Sequence, residues 1–587
     1  MGSRASIFPS ATLAGVLHVG AMVSPIAYGR RETPALPDVK LEGELSARRN
    51  AAFENVLGRG DRYNAESFRA SASGTPGALW WDWPGDQVGR WLSVLSVAEA
   101  CGRPGVPALR ALALDQSLLF QSAQGCFGPE RPLEQKDARI PSGAGFALRG
   151  MMDAYADTGD RRCLLAARRL AEYFEKTAPT WETAGRAQRH VAGLGVPGEP
   201  AERPASATGC LHEFYGHCLD GLVALYSQAG DRRALALAQR LARRAGRTSH
   251  AHHSLSLIRG LIDLHQATGD PTCLDPARDY LAWCKAVRLV DGAISEGMPR
   301  SEQDEGCALA DYVIVNLMMF HATGEDEFLD DAEHVLVNHF AMNQFCTGGF
   351  GHRGYDAEVV GGKVWQGWDG RFGSENPGCC SLWGAWALGQ LGRYIITHGP
   401  EGYEVNLYPE ATVAFPERGV RLEITSDYPR LSCAGVAVEC SRARTFAVRL
   451  RAPAWAESVT VLLNGKKIKP RRESGRLVVS RRWKSGDVLQ LVFDGGLRIV
   501  PAPNLPPGKV ALFDGPLCLA LSSADADVSR AWRLVTDADG RPLHDGGGRF
   551  QLDDGERTAW LPLSPVGDDW THPDVFNPHR LRIVFDR

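Results

Sequence analysis

Four segments of this chain share one pattern, in which an apolar helix, a short turn with glycine and a second helix follow one another. Their turn glycines are Gly159, Gly230, Gly269 and Gly324. Glycine readily adopts the positive φ that ends a helix, and the acidic residue after each glycine can cap the helix that follows. Helical hairpins that repeat along a chain must bury their apolar faces against one another. The first two thirds of the chain therefore fold as an array of helical hairpins.

The spacing of these hairpins predicts how the array is arranged. Successive turn glycines lie at very unequal distances along the chain, whereas an open solenoid has a fixed period. Further helix pairs are predicted around Trp91–Phe120 and Ser381–Ile395. Roughly six hairpins then fit between residues 45 and 397. We therefore expect a closed α/α barrel, with insertions that line one of its ends.

After Gly399 the pattern changes to short runs in which apolar and polar residues alternate, as they do in β-strands. The pair Asn464-Gly465 predicts a hairpin turn, Pro501–Pro507 predicts a linker, and strands resume in Lys509–Leu521. Residues 38–45 also alternate and predict a strand that joins the later sheets. The predicted strands are Val420–Ile424, Phe446–Leu450, Val459–Leu463, Leu477–Val479 and Val488–Phe493.

Together these patterns predict a multidomain α+β protein with an α/α barrel followed by β-sandwich domains. The expected divisions are an N-terminal segment at 1–36, a barrel at 37–397 with its first strand in the sandwich, a β-sandwich at 398–505, and a second β-rich region at 506–587.

Composition excludes several classes of protein. The formal net charge is −4 and the sequence pI about 6.5, so the chain lacks the basic surface of a nucleic-acid binder. Its 14 cysteines in 587 residues are too few for a disulfide scaffold. No run after the N-terminus approaches the ~20 apolar residues of a spanning helix, so we expect no membrane partner.

The N-terminal segment carries a weak signal-peptide pattern. Residues from Ile7 to Tyr28 are mostly apolar or small, and Ser24-Pro25-Ile26-Ala27 resembles the approach to a cleavage site. His18 and the prolines interrupt the apolar run, however. We favour a cytoplasmic location, with secretion as the alternative.

Two short clusters concentrate the residues that carry chemistry, Glu305-Gly306-Cys307 and Cys379-Cys380. Each immediately precedes a helical run, Ala308–Phe320 or Ser381–Ile395, and the start of a helix favours thiolates and carboxylates. Adjacent Cα atoms lie ~3.8 Å apart, closer than the ~4.4–6.8 Å of a disulfide. Three thiolates and a carboxylate suit tetrahedral zinc. The alternative is two small buried cysteines and an exposed glutamate.

Histidines and tryptophans form less specific groups. A single histidine is more often a hydrogen-bonded core or surface residue than a ligand. The tryptophans predict core packing, with one ring as a candidate stacking surface for a sugar. His339 and His352 carry no functional signal. The grouped residues are His212, Glu213 and His217, then His250, His252 and His253, and finally Trp80, Trp81, Trp83 and Trp91.

The order of motifs resembles the bacterial β-L-arabinofuranosidases of glycoside hydrolase family 127 and their relatives. The pairing of E-G-C with C-C is the specific part of this resemblance, since helical repeats alone fit many toroids. The matching segments also include WWDWPGDQVGRWL, HEFYGHCLDGLVALY, GCCSLWGAWALGQLGRYI, VNLYPEATV, VRLRAPAWAESVTVLLNGKKI and GKVALFDGPLCLAL.

The resemblance implies an (α/α)6 catalytic barrel followed by β-sandwich domains, and a retaining, exo-acting glycosidase that releases β-L-arabinofuranose or a similar sugar. It also implies Cys379 as the nucleophile and Glu296 as the acid/base residue, with Glu302 as the fallback for that role. The zinc ligands that it implies are Glu305, Cys307, Cys379 and Cys380.

The chain also departs from the family pattern. Ser381-Leu382-Trp383 follows the paired cysteines where the family commonly has two prolines and an asparagine, and Gly145 stands where the family has a sugar-binding histidine. His217 matches a second such histidine, and the third corresponds to His252 or His253.

Two other functions stay open. One is a non-catalytic carbohydrate- or partner-binding protein with a structural zinc, because closed sites with four protein ligands are usually structural. The other is a polysaccharide lyase on the same toroid, with Tyr215 and His217 as candidate bases. A carboxylate across a pocket from the zinc ligands would distinguish the hydrolase. The expected partner is a carbohydrate, and we consider a homodimer.

Overall fold

The computed structural model describes residues 31–60, 62–75, 83–130, 139–183, 216–243, 245, 250–299, 301, 303–354, 356, 358–362, 375–571 and 580–587. Several sequence-based expectations fall on residues outside these ranges, namely those for the segment Ile7–Tyr28 and for Trp80, Trp81, His212, Glu213, Tyr215 and Glu302.

The first two thirds of the chain are helical, and the four predicted hairpins are confirmed. Each turn glycine has a φ between 67° and 80°. The helices are α1 Gly43–Leu57, α2 Ala65–Ser73, α3 Asp86–Ala100, α4 Val106–Ser117, α5 Arg139–Thr158, α6 Arg161–Thr183, α7 Leu219–Ala229, α8 Arg232–Ala242, α9 Ala251–Thr268, α10 Asp275–Val287, α11 Gly306–Thr323, α12 Asp326–Val337, α13 His339–Asn343, α14 Cys379–Gln390 and α15 Gly392–Ile395.

Within the described ranges the helices form a closed (α/α)6 barrel. The inner ring is α3, α5, α7, α9, α11 and α14, in which each helix packs on the next and α14 packs back on α3. The outer helices α4, α6, α8, α10 and α12 each follow their inner partner along the chain. The predicted pairing within Ser381–Ile395 is wrong. The outer partner of α14 is α1, so the two ends of the helical region close the ring.

The predicted caps are confirmed at three of the four turns. The carboxylates of Asp160, Asp231 and Asp270 accept backbone N–H groups at the start of the following helix. Glu325 differs, because its carboxylate pairs instead with both terminal nitrogens of Arg278.

Helix α11 has the length and hydropathy of a membrane span, and 83% of it is buried inside the protein. That burial is the consequence of its place in the inner ring, where neighbouring helices cover an apolar helix on all sides.

Two sheets form the β-sandwich, and they include the strands that alternation predicted after Gly399. The strand predicted over residues 38–45 is limited to Val39–Leu41, because α1 begins at Gly43. One sheet has the order β1-β5-β6-β7-β13-β9-β10, and the other β11-β12-β8-β4-β3. Strand β1 comes from before the barrel and pairs with β5. The strands are β1 Val39–Leu41, β3 Ile396–Gly399, β4 Gly402–Val405, β5 Ala411–Phe415, β6 Val420–Ser426, β7 Cys433–Cys440, β8 Arg444–Leu450, β9 Ser458–Leu463, β10 Lys466–Ile468, β11 Arg471–Glu473, β12 Arg476–Trp483 and β13 Asp487–Asp494.

A third sheet follows, and it does not begin where the proline-rich segment predicted. Leu497–Pro501 (β14) pairs with Lys509–Asp514 (β15), so Pro501–Pro507 connects a hairpin rather than two domains. Val359–Gly361 (β2), from the barrel region, also joins this sheet. The domain boundaries themselves stay a prediction. The remaining strands are β16 Leu517–Ser522, β17 Arg533–Leu534, β18 Arg549–Asp553, β19 Thr558–Pro562, β20 Ser564–Pro565, β21 Arg580–Arg582 and β22 Phe585–Asp586.

Candidate functional site

The starts of two inner helices meet at one end of the barrel. Glu305 is the N-cap residue of α11, with extended backbone, and Cys307 lies in the first turn of that helix. Cys379 and Cys380 are the first two residues of α14. Both helices begin earlier than predicted, so the cysteines lie inside first turns rather than ahead of them. The exposed backbone N–H groups and dipoles of both helices therefore favour negative charge at this point.

The four side chains converge on a common centre. Their potential ligand atoms, three sulfurs and one carboxylate oxygen, all lie within 4.8 Å of one another. The Cys380 sulfur lies 3.7 Å from the Cys307 sulfur and 3.7 Å from the Cys379 sulfur, too far for a disulfide. Glu305 Oε2 is buried and has no hydrogen-bond partner among the described residues. This donor set, with its unsatisfied oxygen, can hold a metal ion.

Burial and neighbouring charge act differently on the acidic groups of this cluster. Hydrogen bonds from Cys307 and Cys380 lower the pKa of the Cys379 thiol well below its usual value, and the cation of Arg90 acts in the same direction. Burial raises the pKa of the thiols of Cys307 and Cys380. Burial also raises the pKa of Glu305. Without a cation at the centre, Cys379 is therefore the favoured thiolate.

The two adjacent cysteines differ in exposure. Cys379 is partly exposed, whereas Cys380 is fully buried. Asn376 donates a hydrogen bond from Nδ2 to the Cys379 sulfur at 3.1 Å and accepts one from the backbone N–H of Gly378. The turn ahead of α14 thus contacts Cys379 directly, and Cys379 is the more exposed residue of the two.

Glu296 faces the same space. Its carboxylate, with His250 and Glu305, belongs to a second group whose potential ligand atoms lie within 4.8 Å of one another. The Glu296 backbone is held on both sides, since its N–H donates to the Gln303 carbonyl and its carbonyl accepts from Ala251 N–H. Gln303 Nε2 also donates to Glu296 Oε2 at 2.6 Å. Of the two predicted acid/base candidates, only Glu296 lies within the described residues.

The predicted sugar-binding histidines lie together, but their nitrogens are used differently. His252 binds Asp311 through Nδ1 at 2.7 Å and Arg90 through Nε2 at 3.0 Å, so neither nitrogen is left for a ligand. The rings of His217 and His253 lie 4.7 Å apart in an edge-on contact. His217 Nδ1 is buried without a hydrogen-bond partner among the described residues. His217 is therefore a better candidate than His252 for a polar ligand, and His253 lies beside it.

A buried ionic network supports these histidines, and sequence reasoning missed it. Arg90 donates from Nε to Asp86 at 2.9 Å, and its guanidinium lies 3.5 Å from the centre of the Phe146 ring. Asp311 accepts a hydrogen bond from Trp383 Nε1 at 2.7 Å. Trp383, one of the residues that depart from the family pattern, therefore belongs to this network. Arg90 lies within WWDWPGDQVGRWL, but a lone arginine in a helical run gives no signal of its own.

His352 is a second residue that the sequence did not single out. Its Nδ1 donates to the Asp304 carbonyl at 2.9 Å, and its Nε2 lies 3.8 Å from the Cys380 sulfur. Glu296 Oε2 lies 3.8 Å from the same ring. No spacing in the surrounding sequence could have indicated this contact, because long-range packing brings these residues together.

Gly145 has a steric reason to be glycine. A Cβ at this position of α5 would lie 2.6 Å from the backbone carbonyl carbon of His217 and 2.9 Å from Cys218 N. The family's histidine could not stand here with this backbone. The backbone just ahead of α7 instead approaches α5 directly at this position.

Comparisons with known proteins agree with this geometry. Residues 402–495 match the family model described as "Beta-L-arabinofuranosidase, GH127 middle domain". The GH127 beta-arabinofuranosidase BT3674 has a similar structure, with a TM-score of 0.71 and 18% identity over 96% of this chain and 98% of that one. The chain has the GH127 fold. No curated protein matches it by sequence.

A second GH127 structure supports the same assignment. Ara127N, a beta-L-arabinofuranosidase from Geobacillus stearothermophilus T6, has a TM-score of 0.68 and 17% identity over 93% of this chain and 99% of that one. The expected resemblance to family 127 is therefore confirmed by the middle domain and by the fold of nearly the whole chain. The architecture of the chain is therefore that of the GH127 structures.

Proposed function

We propose that this GH127-type protein is a retaining, exo-acting glycoside hydrolase that releases β-L-arabinofuranose or a similar sugar. The observation that carries the proposal is the position of Glu296, whose carboxylate lies beside the cluster of three cysteines and Glu305. A structural metal site needs no such neighbour, whereas a glycosidase needs a proton donor close to its nucleophile.

We further propose zinc as the metal, held by Glu305, Cys307, Cys379 and Cys380. A tetrahedral site with zinc–sulfur bonds of about 2.3 Å separates its sulfurs by about 3.8 Å. The two measured sulfur–sulfur distances are both 3.7 Å, which supports this fit. When bound, zinc keeps the ligating thiols deprotonated near neutral pH and supplies positive charge among them.

In the first step the Cys379 thiolate attacks the anomeric carbon, and a carbon–sulfur bond forms as the glycosidic carbon–oxygen bond breaks. Glu296 gives its proton to the leaving oxygen. In the second step Glu296 removes a proton from water, which attacks the same carbon and releases Cys379. Two inversions leave the configuration unchanged. The lowered pKa of the Cys379 thiol and the partial exposure of this residue support Cys379 over Cys380 as the nucleophile.

The sugar would lie against the imidazole groups of His217 and His253, whose positions support hydrogen bonds to hydroxyl groups. The Trp83 ring, centred 6.5 Å from the His253 ring, offers an apolar surface beside them. His252 then acts indirectly, because it links Arg90 and Asp311 behind this surface.

A panel of para-nitrophenyl glycosides, beginning with β-L-arabinofuranoside, tests the proposal. We expect zinc-dependent hydrolysis that a chelator abolishes and added zinc restores. Proton NMR of the first-formed sugar should show the anomeric configuration of the substrate. Inversion would exclude the mechanism. Zinc binding with no hydrolysis of any glycoside would favour the non-catalytic alternative, and an unsaturated product would favour the lyase.

A further inference from the structure

We propose that His339 is a positioning residue that joins the two ends of the loop carrying Glu296, and that it thereby sets the place of the acid/base carboxylate. This inference rests on the proposed role of Glu296. The clamp, as we call the trio Asp291–His339–Asp304, lies outside the set of residues that would touch sugar or metal.

The geometry of the clamp is simple. His339 Nδ1 lies 2.7 Å from Asp291 Oδ2, and its Nε2 lies 2.6 Å from Asp304 Oδ2. All three side chains are fully buried. Asp291 precedes the loop and Asp304 ends it, with Glu296 between them. One imidazole ring therefore spans the base of the loop.

This hydrogen bonding fixes the charge of the ring. A carboxylate only accepts hydrogen bonds, so both ring nitrogens must carry protons and the ring is an imidazolium. The two aspartates accordingly raise the pKa of His339 to about 10, despite its burial. One imidazolium balances only one of the two carboxylates, and N–H groups stabilise the remaining negative charge. Asn343 Nδ2 and Arg353 N donate to Asp304, and Ala293 N donates to Asp291.

The clamp connects the loop to a rigid part of the site. His339 and Asn343 lie one turn apart on α13, and both bind Asp304. Asn343 also exchanges hydrogen bonds with the backbone of Gly351. Asp304 immediately precedes Glu305, the N-cap residue of α11. The hydrogen bonds from α13 to Asp304 therefore fix the segment that leads into α11.

Within the loop, backbone pairing carries this constraint to Glu296. Ser295 forms a bridge with Asp304, and Glu296 N–H donates to the Gln303 carbonyl. Because the Glu296 backbone lies within this paired segment, a shift of Asp304 or Asp291 moves the carboxylate. Misplacing a reacting group by about 1 Å can cost about 10²-fold in rate.

The test compares wild type with His339→Gln, since glutamine can donate to one aspartate only. We expect turnover of methyl β-L-arabinofuranoside to fall about tenfold or more, because methanol is a poor leaving group that depends on the general acid. Turnover of the para-nitrophenyl glycoside should fall by less than about threefold. Zinc content should stay unchanged. Amide hydrogen exchange in residues 292–303 should become faster.

A matched control separates position from general destabilisation. Glu333→Gln breaks a buried ion pair between α12 and Arg451 of the sandwich and leaves the three clamp residues intact. It should lower the melting temperature while both substrates keep their relative rates. Asp291→Asn, which removes the negative charge at one end of the clamp, replaces His339→Gln if the latter does not fold.

Equal loss for both substrates, or unchanged exchange in residues 292–303, would overturn the clamp. Hydrogen exchange needs no turnover, so it tests the clamp even if wild type hydrolyses no glycoside. A wild-type protein that hydrolyses no glycoside would overturn the proposed function. Faster exchange in the His339→Gln variant would still support the clamp as a restraint on the loop.

Discussion

The guanidinium of Arg90 lies with its Nη1 3.8 Å from the Cys307 sulfur. The same side chain is fully buried and binds Asp86 and His252 with its other nitrogens. Asp86 and Cys307 together raise the pKa of Arg90 above its usual value against the effect of burial. A buried cation thus lies beside the cysteine cluster.

We expect Arg90→Met to raise the pKa of Cys379, because the positive charge that favours its thiolate is lost. In protein stripped of metal, the pH profile of alkylation at Cys379 should move to higher pH. Arg90→Lys keeps the charge and should recover part of the shift. An unchanged profile in Arg90→Met would show that the neighbouring thiols alone set this pKa.

Glu296→Gln should reduce turnover of alkyl glycosides by ~10²–10⁴-fold, the usual contribution of a general acid. Zinc should stay bound, because Glu296 is not among its proposed ligands. The first step on a para-nitrophenyl glycoside should be less affected, since that leaving group needs little protonation. Burst kinetics measure the two steps separately. Wild-type behaviour of this variant would move the role to Glu302.

An electrophilic furanose analogue, such as an epoxide, should label Cys379. Cys379 is partly exposed, whereas Cys380 is buried. Peptide mass spectrometry locates the adduct. Prior incubation with L-arabinose should slow the labelling if the analogue binds as a sugar. An adduct on Cys380 or on a carboxylate would contradict the assignment of the nucleophile.

Metal analysis of purified protein should find about one zinc per chain. Cys307→Ser and Glu305→Gln each remove one ligand and should weaken zinc binding, with Cys126→Ser, a buried cysteine outside the cluster, as the control. Because zinc would bind only the folded state, its removal should lower the melting temperature. Full retention of zinc in both ligand variants would place the metal elsewhere.

The clamp predicts a loss of stability at alkaline pH. The pKa of His339 is about 10 in the folded protein and ~6.5 in an unfolded chain, so folding favours its protonated form. That contribution is complete below pH ~6.5 and is lost as the pH rises toward 10. The difference in melting temperature between wild type and His339→Gln should therefore shrink over this range. A constant difference would exclude a charged clamp.

Much of the architecture could be read from local pattern. The four hairpins with glycine turns and the sandwich strands after Gly399 depend on residues a few positions apart, and these predictions are confirmed. The Glu305–Cys307 and Cys379–Cys380 clusters could also be placed at helix starts, because apolar helical runs follow each of them. Residue type and spacing were enough to indicate a metal site there.

The tertiary structure alone decided which distant segments meet. The pairing of α1 with α14 closes the barrel, and β14 joins the C-terminal sheet across a proline-rich hairpin. The contacts of His339 and His352 arise in the same way, from partners 28 to 48 residues away. Such contacts depend on the shape of the whole packed core. Local sequence therefore determines the helices, the strands and the candidate ligands by residue type, whereas packing determines the charge and position of the side chains around Glu296.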